Sequence, residues 1–288
     1  MVSWQYKIRE QYLEDDLKEL NLTKEDIAKL KTSDFLVKSV EEKEEQKKMV
    51  DFIKKYEWLG TISQYTTHWY GAYYNGILSG VVLFNVPNSF SKMLGKDTHK
   101  KERLISRGAC ASWTPKNLAS YMITKSIKDI VRTTDFRIFS CYADPEAYEL
   151  GTIYQACNFY YLGNNFGTKV KLVNPFTGKV VSDRAFRQKT FYKKIAKQYN
   201  INWESSWCTK NGMNWDNVPD KVEKFLRVKS KELQEKAQKF DVKPKHKYVY
   251  VLGRNKKETK ELRRQFLNNV RVYEYPKIRG DVPCTLKT

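Results

Sequence analysis

The sequence predicts a protein of the α/β (α+β) class, a central mixed sheet flanked by helices, with an N-terminal helical extension and a basic C-terminal extension. Three observations predict it. Residues 104–162 read in turn as strand, helix, strand, short polar helix and strand. Residues 65–86 hold two β-rich runs that meet at Asn75 and Gly76, the residue pair that a two-residue hairpin turn demands. A strand at 35–40 leads into a helix from about 41 to 57, whose apolar positions Met49, Val50, Phe52, Ile53 and Trp58 fall on one side.

Taken in order, residues 5–20 and 23–31 form two short helices, the second opened by a capping box of Thr23 and Asp26. They suit a docking appendage, a lid or a structural extension. The polar, basic stretch 88–101 reads as an exposed loop, fit for phosphates or simply solvated. In the central block, Thr114 and Pro115 open a helix whose first N–H groups are a ready place for phosphate. Ala119, Met122, Ile123, Ile127 and Ile130 share its buried face; Asn117, Lys125 and Lys128 lie opposite. The next strand ends in Ala-Asp-Pro, so Asp144 stands at a carboxyl end, where ligands gather in open sheets. Tyr154, Gln155 and Asn158 follow as a cluster of neutral hydrogen-bonding side chains.

Residues 169–181 form another hairpin. Ser182 and Asp183 cap a helix pinned by Phe186, Phe191, Ile195 and Tyr199, with Arg184, Arg187, Lys189, Lys193, Lys194 and Lys197 on its outer side; that side is solvated or contacts a DNA backbone. Trp203, Trp207 and Trp215 either stack on a base or anchor a loop. A charged helix at 218–240, a strand within 242–253, a helix at 256–268 and an extended tail complete the chain, the late strand returning to a sheet edge. The expected division is 1–33, a helical extension; 34–200, a catalytic core; and 201–288, a basic extension packing on it.

Of the 288 residues, 53 are Lys or Arg and 33 Asp or Glu, a net charge of +20 that favours an acidic partner such as nucleic acid. The first 60 residues carry 12 basic against 14 acidic side chains, a net of −2, so the rest of the chain holds +22. The basic surface belongs to the body of the protein. Five widely spaced cysteines without a CxxC pattern read as small apolar residues of a reduced, cytoplasmic chain. The longest apolar run, 77–84, has the length of a strand, so no membrane span is expected. Three histidines without HxH or HxxxH spacing do not support a histidine-rich metal site.

In these motifs the sequence resembles the Mom-like DNA modification proteins of bacteriophage Mu type. Arg107 stands eight residues before Pro115; Pro115, Asn117 and Ser120 follow the family's P-x-N-x-x-S pattern; Asp144 sits in its A/S-D-P motif. Tyr154, Gln155, Ala156 and Asn158 fill its Y-Q-A-x-N motif, and His68, Trp69 and Tyr70 stand where it has a histidine–aromatic motif. The likeness covers roughly residues 60–200, with an echo near the C-terminus.

The resemblance implies a GNAT-related fold and a transferase that converts the exocyclic amine of adenine in phage DNA to a carbamoylmethyl form, an anti-restriction modification made in the host cytoplasm. DNA is the implied partner; the oligomeric state stays open, a homodimer included. Asp144 would accept or orient the amine proton, with Tyr154 as proton donor or oxyanion partner. Gln155 and Asn158 would read the adenine edge, and Arg107, Asn117 and Ser120 would hold the donor. His68 and Tyr70 join the binding set, and Arg184, Arg187, Lys193, Lys194 and Lys197 the DNA-contacting set. The family also raises an iron site of His, Tyr and Asp. A GNAT fold raises acyl-CoA, but Ser112-Trp113-Thr114-Pro115-Lys116-Asn117 occupies the place of the glycine-rich Q/RxxGxG/A pyrophosphate loop. Two other functions fit: an N-acyltransferase on a protein or small amine, whose CoA binding would be measurable, and a non-catalytic DNA-binding or virion protein.

Overall fold

The computed structural model describes residues 3–87, 92–96, 98–210 and 212–277. The chain divides into two compact units: residues 1–166 with 245–288, and residues 167–244. These units do not coincide with the three-part division expected above, because late residues return to the first unit while its middle is interrupted by the second.

The first unit begins with helices α1 (Trp4–Leu20) and α2 (Lys24–Lys29), the latter opened by the reciprocal Thr23–Asp26 bonds of a capping box. Strand β1 (Leu36–Ser39), helix α3 (Lys43–Tyr56) and the hairpin β2 (Thr66–Tyr74) and β3 (Ile77–Asn85) follow. Asn75 and Gly76 take φ of +47° and +82°, the left-handed pair that closes a two-residue turn. Then come β4 (Glu102–Cys110), α4 (Leu118–Thr133), β5 (Ile138–Ala143), the single turn α5 (Thr152–Ala156) and β6 (Tyr160–Tyr161).

The second unit holds β7 (Val170–Val173), β8 (Val180–Val181), α6 (Lys189–Gln198), α7 (Asp220–Lys236) and β9 (Lys239–Asp241). Its three strands pair in the order β8-β7-β9. The chain re-enters the first unit as β10 (His246–Val251) and α8 (Lys256–Asn269).

The main sheet runs β1-β2-β3-β4-β5-β10-β6, antiparallel except for β4 beside β5. Strand β10 therefore lies inside the sheet, between β5 and β6, and not at the edge that the sequence suggested. Val249 and Val251 are fully buried and Tyr248 is sealed among aromatic rings, so this strand's side chains are core on both faces.

Helices cover both faces of the sheet. The hydroxyl of Tyr70 donates to Asp129 of α4, and that of Tyr73, an odd number of residues on, donates to Glu45 of α3. Because alternate strand residues point to opposite faces, α3 and α4 sandwich the sheet.

Three local expectations need correction. Helix α4 starts at Leu118, not at Pro115: the Thr114 hydroxyl donates to the Ala111 carbonyl and caps nothing, and Asn117 is the N-cap residue, without a side-chain bond. Residues 184–197 are not one helix. A 3-10 turn (Asp183–Arg187) is broken at Gln188, whose ψ of 148° is extended, before α6 begins, and Ser182 makes no cap bond. The loop before β4 is not wholly exposed: Met93 and Leu94 are buried against the α8 side of the sheet, while 88–91 and 97 lie outside the described residues. Cys110, Cys141 and Cys157 are buried thiols, as apolar usage requires; Cys284 falls outside the described residues.

Candidate active site

The sheet parts at its centre. Strands β4 and β5 pair only over Glu102–Leu104 and Ile138–Ser140. Beyond that point β4 stays with β3 as far as Cys110, while β5 stays with β10 as far as Ala143. A bulge at Ser106, the residue skipped between the pairs Leu83–Arg107 and Phe84–Ile105, marks the divergence. The Ser106 hydroxyl holds the bulge by donating to Asn85 Oδ1 (2.8 Å), and a bulge adds twist that swings the strand away from its neighbour. The result is a cleft at the carboxyl ends of two parallel strands, the place where open α/β sheets bind ligands.

Asp144 follows β5 directly. Its Oδ2 lies 2.7 Å from Lys245 Nζ, and its Oδ1 accepts the Glu146 N–H at 3.1 Å, capping the Pro145–Ala147 turn. Both oxygens are engaged. Glu149, five residues on, accepts from the Trp58 indole N–H (3.1 Å) and from the Asp144 backbone N–H (3.2 Å). Burial raises the Glu149 carboxyl above the usual range, the Asp144 N–H opposes this, and the charges of Asp144 and Glu57 add to it. Glu57, just past the end of α3, is buried and accepts the N–H groups of Leu59 (2.9 Å) and Gly60 (2.7 Å). Burial raises its carboxyl too, opposed by Arg107, whose Nε is 4.0 Å away. Arg107 is held by the Thr61 carbonyl at 2.6 Å and the Thr61 hydroxyl at 3.2 Å. Three carboxyls and two cations thus meet at the cleft.

Tyr154, on α5, packs against the core beside this cleft: its ring lies on Phe159 and Tyr248, and its hydroxyl is near the Cys141 thiol. Burial first, then the neighbouring Cys141 and Glu149, hold the phenol well above its ordinary pKa, so it stays protonated. A carboxyl poised above its usual range exchanges protons nearer neutral pH, and a neutral phenol is able to donate a hydrogen bond or a proton. Glycine precedes α5 for a reason. Gly151 has φ of +73°, and a Cβ there would come within 2.4 Å of the Tyr248 ring.

The other predicted site residues have different surroundings. The Gln155 amide donates to the Leu150 carbonyl (3.1 Å) and to the Tyr248 hydroxyl (3.2 Å), so it fixes the α5 turn. Asn158 is exposed, and its φ of +58° explains an asparagine there without any base contact. Asn117 is exposed at the start of α4; Ser120 bonds back to its carbonyl at 3.0 Å and sits beside Cys157. His68 and Tyr70 are not at the cleft. His68 stands edge-on to Phe136, with its pKa lowered by burial and by Arg103, and Tyr70 is buried against α4. His68 is level with Phe84 and Ile105, one residue past the last β4–β5 pair, Leu104–Ser140, and so three residues or about 10 Å short of Asp144 along β5.

In the second unit, Arg184, Arg187, Lys193, Lys194 and Lys197 are exposed. Arg187 pairs with Asp183 at 2.5 Å, and Lys194 lies over the Phe176 ring. The tryptophans anchor structure: Trp207 is buried against Trp203, and Trp215 is packed between Tyr192 and Arg227.

Neither group raised by the resemblance fits these residues. Among the described residues no three His, Cys, Asp or Glu side chains, the three cleft carboxyls included, are placed to hold a metal ion together, and His68 and Tyr70 stand away from Asp144. In the loop from β4 to α4, Arg9 of α1 donates to the carbonyls of Ser112 (3.0 Å) and Thr114 (2.7 Å), and the Ser112 hydroxyl donates to the buried Asp16 carboxylate. Carbonyls and a carboxylate oppose a pyrophosphate where a glycine-rich loop would offer it N–H donors.

Glu57, Glu149, Trp58 and Lys245 are the site residues that sequence reasoning missed. Each is one charged or aromatic residue among many, and only its contacts beside the cleft distinguish it.

Comparison with known proteins places these features in context. The sequence profile of the Mom protein family matches residues 34–277. No curated protein is significantly similar in sequence. Among solved structures, a Bacillus subtilis acetyltransferase in complex with CoA is 8% identical, with 76% of this chain and 99% of that one covered and a TM-score of 0.35. The ribosomal L7/L12 α-N-protein acetyltransferase RimL, in complex with coenzyme A, is 10% identical over 77% of this chain and 96% of that one, with a TM-score of 0.37. A probable acetyltransferase from Staphylococcus epidermidis is 10% identical over 51% of this chain and 93% of that one, with a TM-score of 0.35.

Proposed function

The chain belongs to the Mom protein family, and from that premise we propose that it is a transferase acting on the exocyclic amine of adenine in DNA, installing a carbamoylmethyl-type group that blocks restriction. The observation that carries this reading is the contact of Glu149 with the Asp144 N–H just past the split between β4 and β5, with Tyr154 near enough to feel the Glu149 charge. The residues divide the work. The adenine amine is a weak nucleophile because its lone pair is delocalised into the ring, and attack becomes productive as its proton is withdrawn. Glu149 is the group able to take that proton. Asp144, locked by Lys245 and by its own turn, orients Glu149 through its backbone N–H and sets its proton affinity. Tyr154, a neutral phenol, protonates the departing group of the donor as the new C–N bond forms. Arg107 stabilises negative charge that develops on the donor.

Adenine inside a duplex is out of reach of such a cleft, so the base must be turned out of the stack. The test is nucleoside mass spectrometry of plasmid DNA from cells expressing the wild-type chain, Asp144→Ala or Tyr154→Phe. A heavier deoxyadenosine that appears with wild type and disappears in both variants supports the reading. Unmodified DNA with well-folded wild type, or full modification by both variants, refutes it.

A further inference from the structure

A second site lies in the same unit as the cleft, at the other end of the sheet. The C-terminal half of α4, the turn at 252–255 and one side of α8 line a groove of about 1290 Å³. Eight lysines and arginines line it against a single acid, Glu261, which is already paired with Arg264 at 2.9 Å. Arg132 and Arg254 also have carboxylate partners, Asp129 and Asp135. Lys128, Lys256, Lys257 and Lys260 are exposed and, among the described residues, make no ion pair.

The placement of three of these lysines runs against local electrostatics. Lys256, Lys257 and Lys260 crowd the first turns of α8, where the helix dipole is positive and acidic side chains are preferred. The one acid of that first turn, Glu258, is already taken by Arg137 and by the Arg254 N–H, so the lysines at this end of the helix mark a surface organised for something else. The groove floor is ordered: the Gly253 N–H bonds to the Thr259 hydroxyl at 3.0 Å, and a Cβ on Gly253 would clash with the Thr259 backbone at 2.7 Å. Its volume far exceeds that of one phosphate ion, and its cations come from two elements. An extended polyanion with several phosphates matches both facts.

We propose that the α4–α8 groove binds the phosphate backbone of a nucleic-acid duplex, remote from the chemistry. That the duplex is DNA rests on the proposed function. The spacing suits a single duplex reaching both places. The groove abuts the end of β5 where Ile138 pairs with Val251, six residues from Asp144. At about 3.3 Å per residue this is about 20 Å, or roughly six base pairs at 3.4 Å each.

The experiment is fluorescence anisotropy of a 24-base-pair duplex of random sequence with the full chain, titrated at several salt concentrations. The variants are Lys256→Ala/Lys257→Ala/Lys260→Ala and, separately, Lys193→Ala/Lys197→Ala in α6, each checked for wild-type circular dichroism. The groove variant is expected to bind at least about tenfold more weakly, and to flatten the log K against log salt slope by about 2.7, at 0.9 per lost phosphate contact. Millimolar inorganic phosphate at constant ionic strength leaves wild-type binding in place. An unchanged affinity and slope in the groove variant overturn the proposal even if the α6 variant loses binding, and in that case the DNA reading survives. Loss of wild-type binding in inorganic phosphate overturns it in favour of a small-anion site. Absence of DNA binding by the wild type overturns the DNA reading along with the groove.

Discussion

Replacing Glu149 with glutamine separates proton transfer from packing at the cleft. The side chain keeps its shape but can no longer ionise. A positioned base contributes about 10²- to 10⁴-fold to a rate, equivalent to about 3–5 kcal/mol, so deoxyadenosine modification per unit of folded protein should fall by that factor. Stability behaves differently. Glu149 accepts from Trp58 and from the Asp144 N–H, and a glutamine can satisfy only one of these with its oxygen. The other donor then meets an amide NH₂, a cost of about 1–3 kcal/mol.

Against this stands the titration of the wild type. The folded-state pKa of Glu149 is raised by burial and by its acidic neighbours. The stability linked to its protonated form is therefore fully present below the unfolded carboxyl pKa and is lost as pH rises through the folded value. Glutamine does not titrate, so the wild type's advantage over the variant must shrink as pH rises through that window, at no more than about 1.4 kcal/mol per pH unit for one proton. Urea unfolding of both proteins from pH 4 to 8 measures this. A difference in stability that is flat across the range, or a variant that modifies DNA at the wild-type level, would refute the assignment of Glu149 as the proton carrier.

Other substitutions test the geometry around it. Gly151→Ala should destabilise the protein by more than about 2 kcal/mol, since a positive φ and a collision with the Tyr248 ring combine, and should lower modification through the displaced Tyr154; a melting temperature within a degree of wild type would contradict the packing described. Tyr70→Phe should cost about 1 kcal/mol through the lost bond to Asp129 while modification by the folded fraction stays near wild type. His68→Phe should likewise spare activity, because this ring contacts Phe136 and not the cleft; loss of modification in either variant, with the fold intact, would return the histidine–aromatic motif to the chemistry.

What could be read from the sequence was local. Asn75 and Gly76 announce their turn because few other residues tolerate two successive positive φ values. The stripes on α3 and α4 announce helices because Met49, Phe52 and Ile53, or Met122, Ile127 and Ile130, recur at helical spacing and are buried. The Ala-Asp-Pro step marked the end of β5, as proline cannot continue a paired strand. Non-local choices left no such mark. Nothing in His-Lys-Tyr-Val-Tyr-Val separates an edge strand from one inserted between β5 and β6, since that depends on partners about 100 residues away. The bulge at Ser106 is equally silent, although it opens the cleft. Glu149 escaped for the same reason: only the approach of Trp58 and Glu57, from the far end of α3, makes it different from any other glutamate.

On the proposed function, the charges at the cleft restrict how DNA can approach it. Two unit charges about 8 Å apart at an effective dielectric of 20 repel by about 2 kcal/mol, and among the described residues Glu57, Asp144 and Glu149 lie with Arg107 and Lys245 as their cationic partners. A phosphodiester pressed into this site would meet more acid than base. A neutral adenine would not, because it brings hydrogen-bonding edges and no charge. The reacting base therefore has to enter ahead of its backbone, which must be held where cations outnumber acids. Among the described residues of this unit, the α4–α8 groove meets that condition with eight cations to one acid. Reversing the charge of Lys128 and Lys260 should then reduce modification through a raised KM for DNA with kcat retained, whereas Glu149→Gln should reduce kcat with KM retained. If both variants moved the same constant, the separation of backbone grip from base chemistry would be wrong.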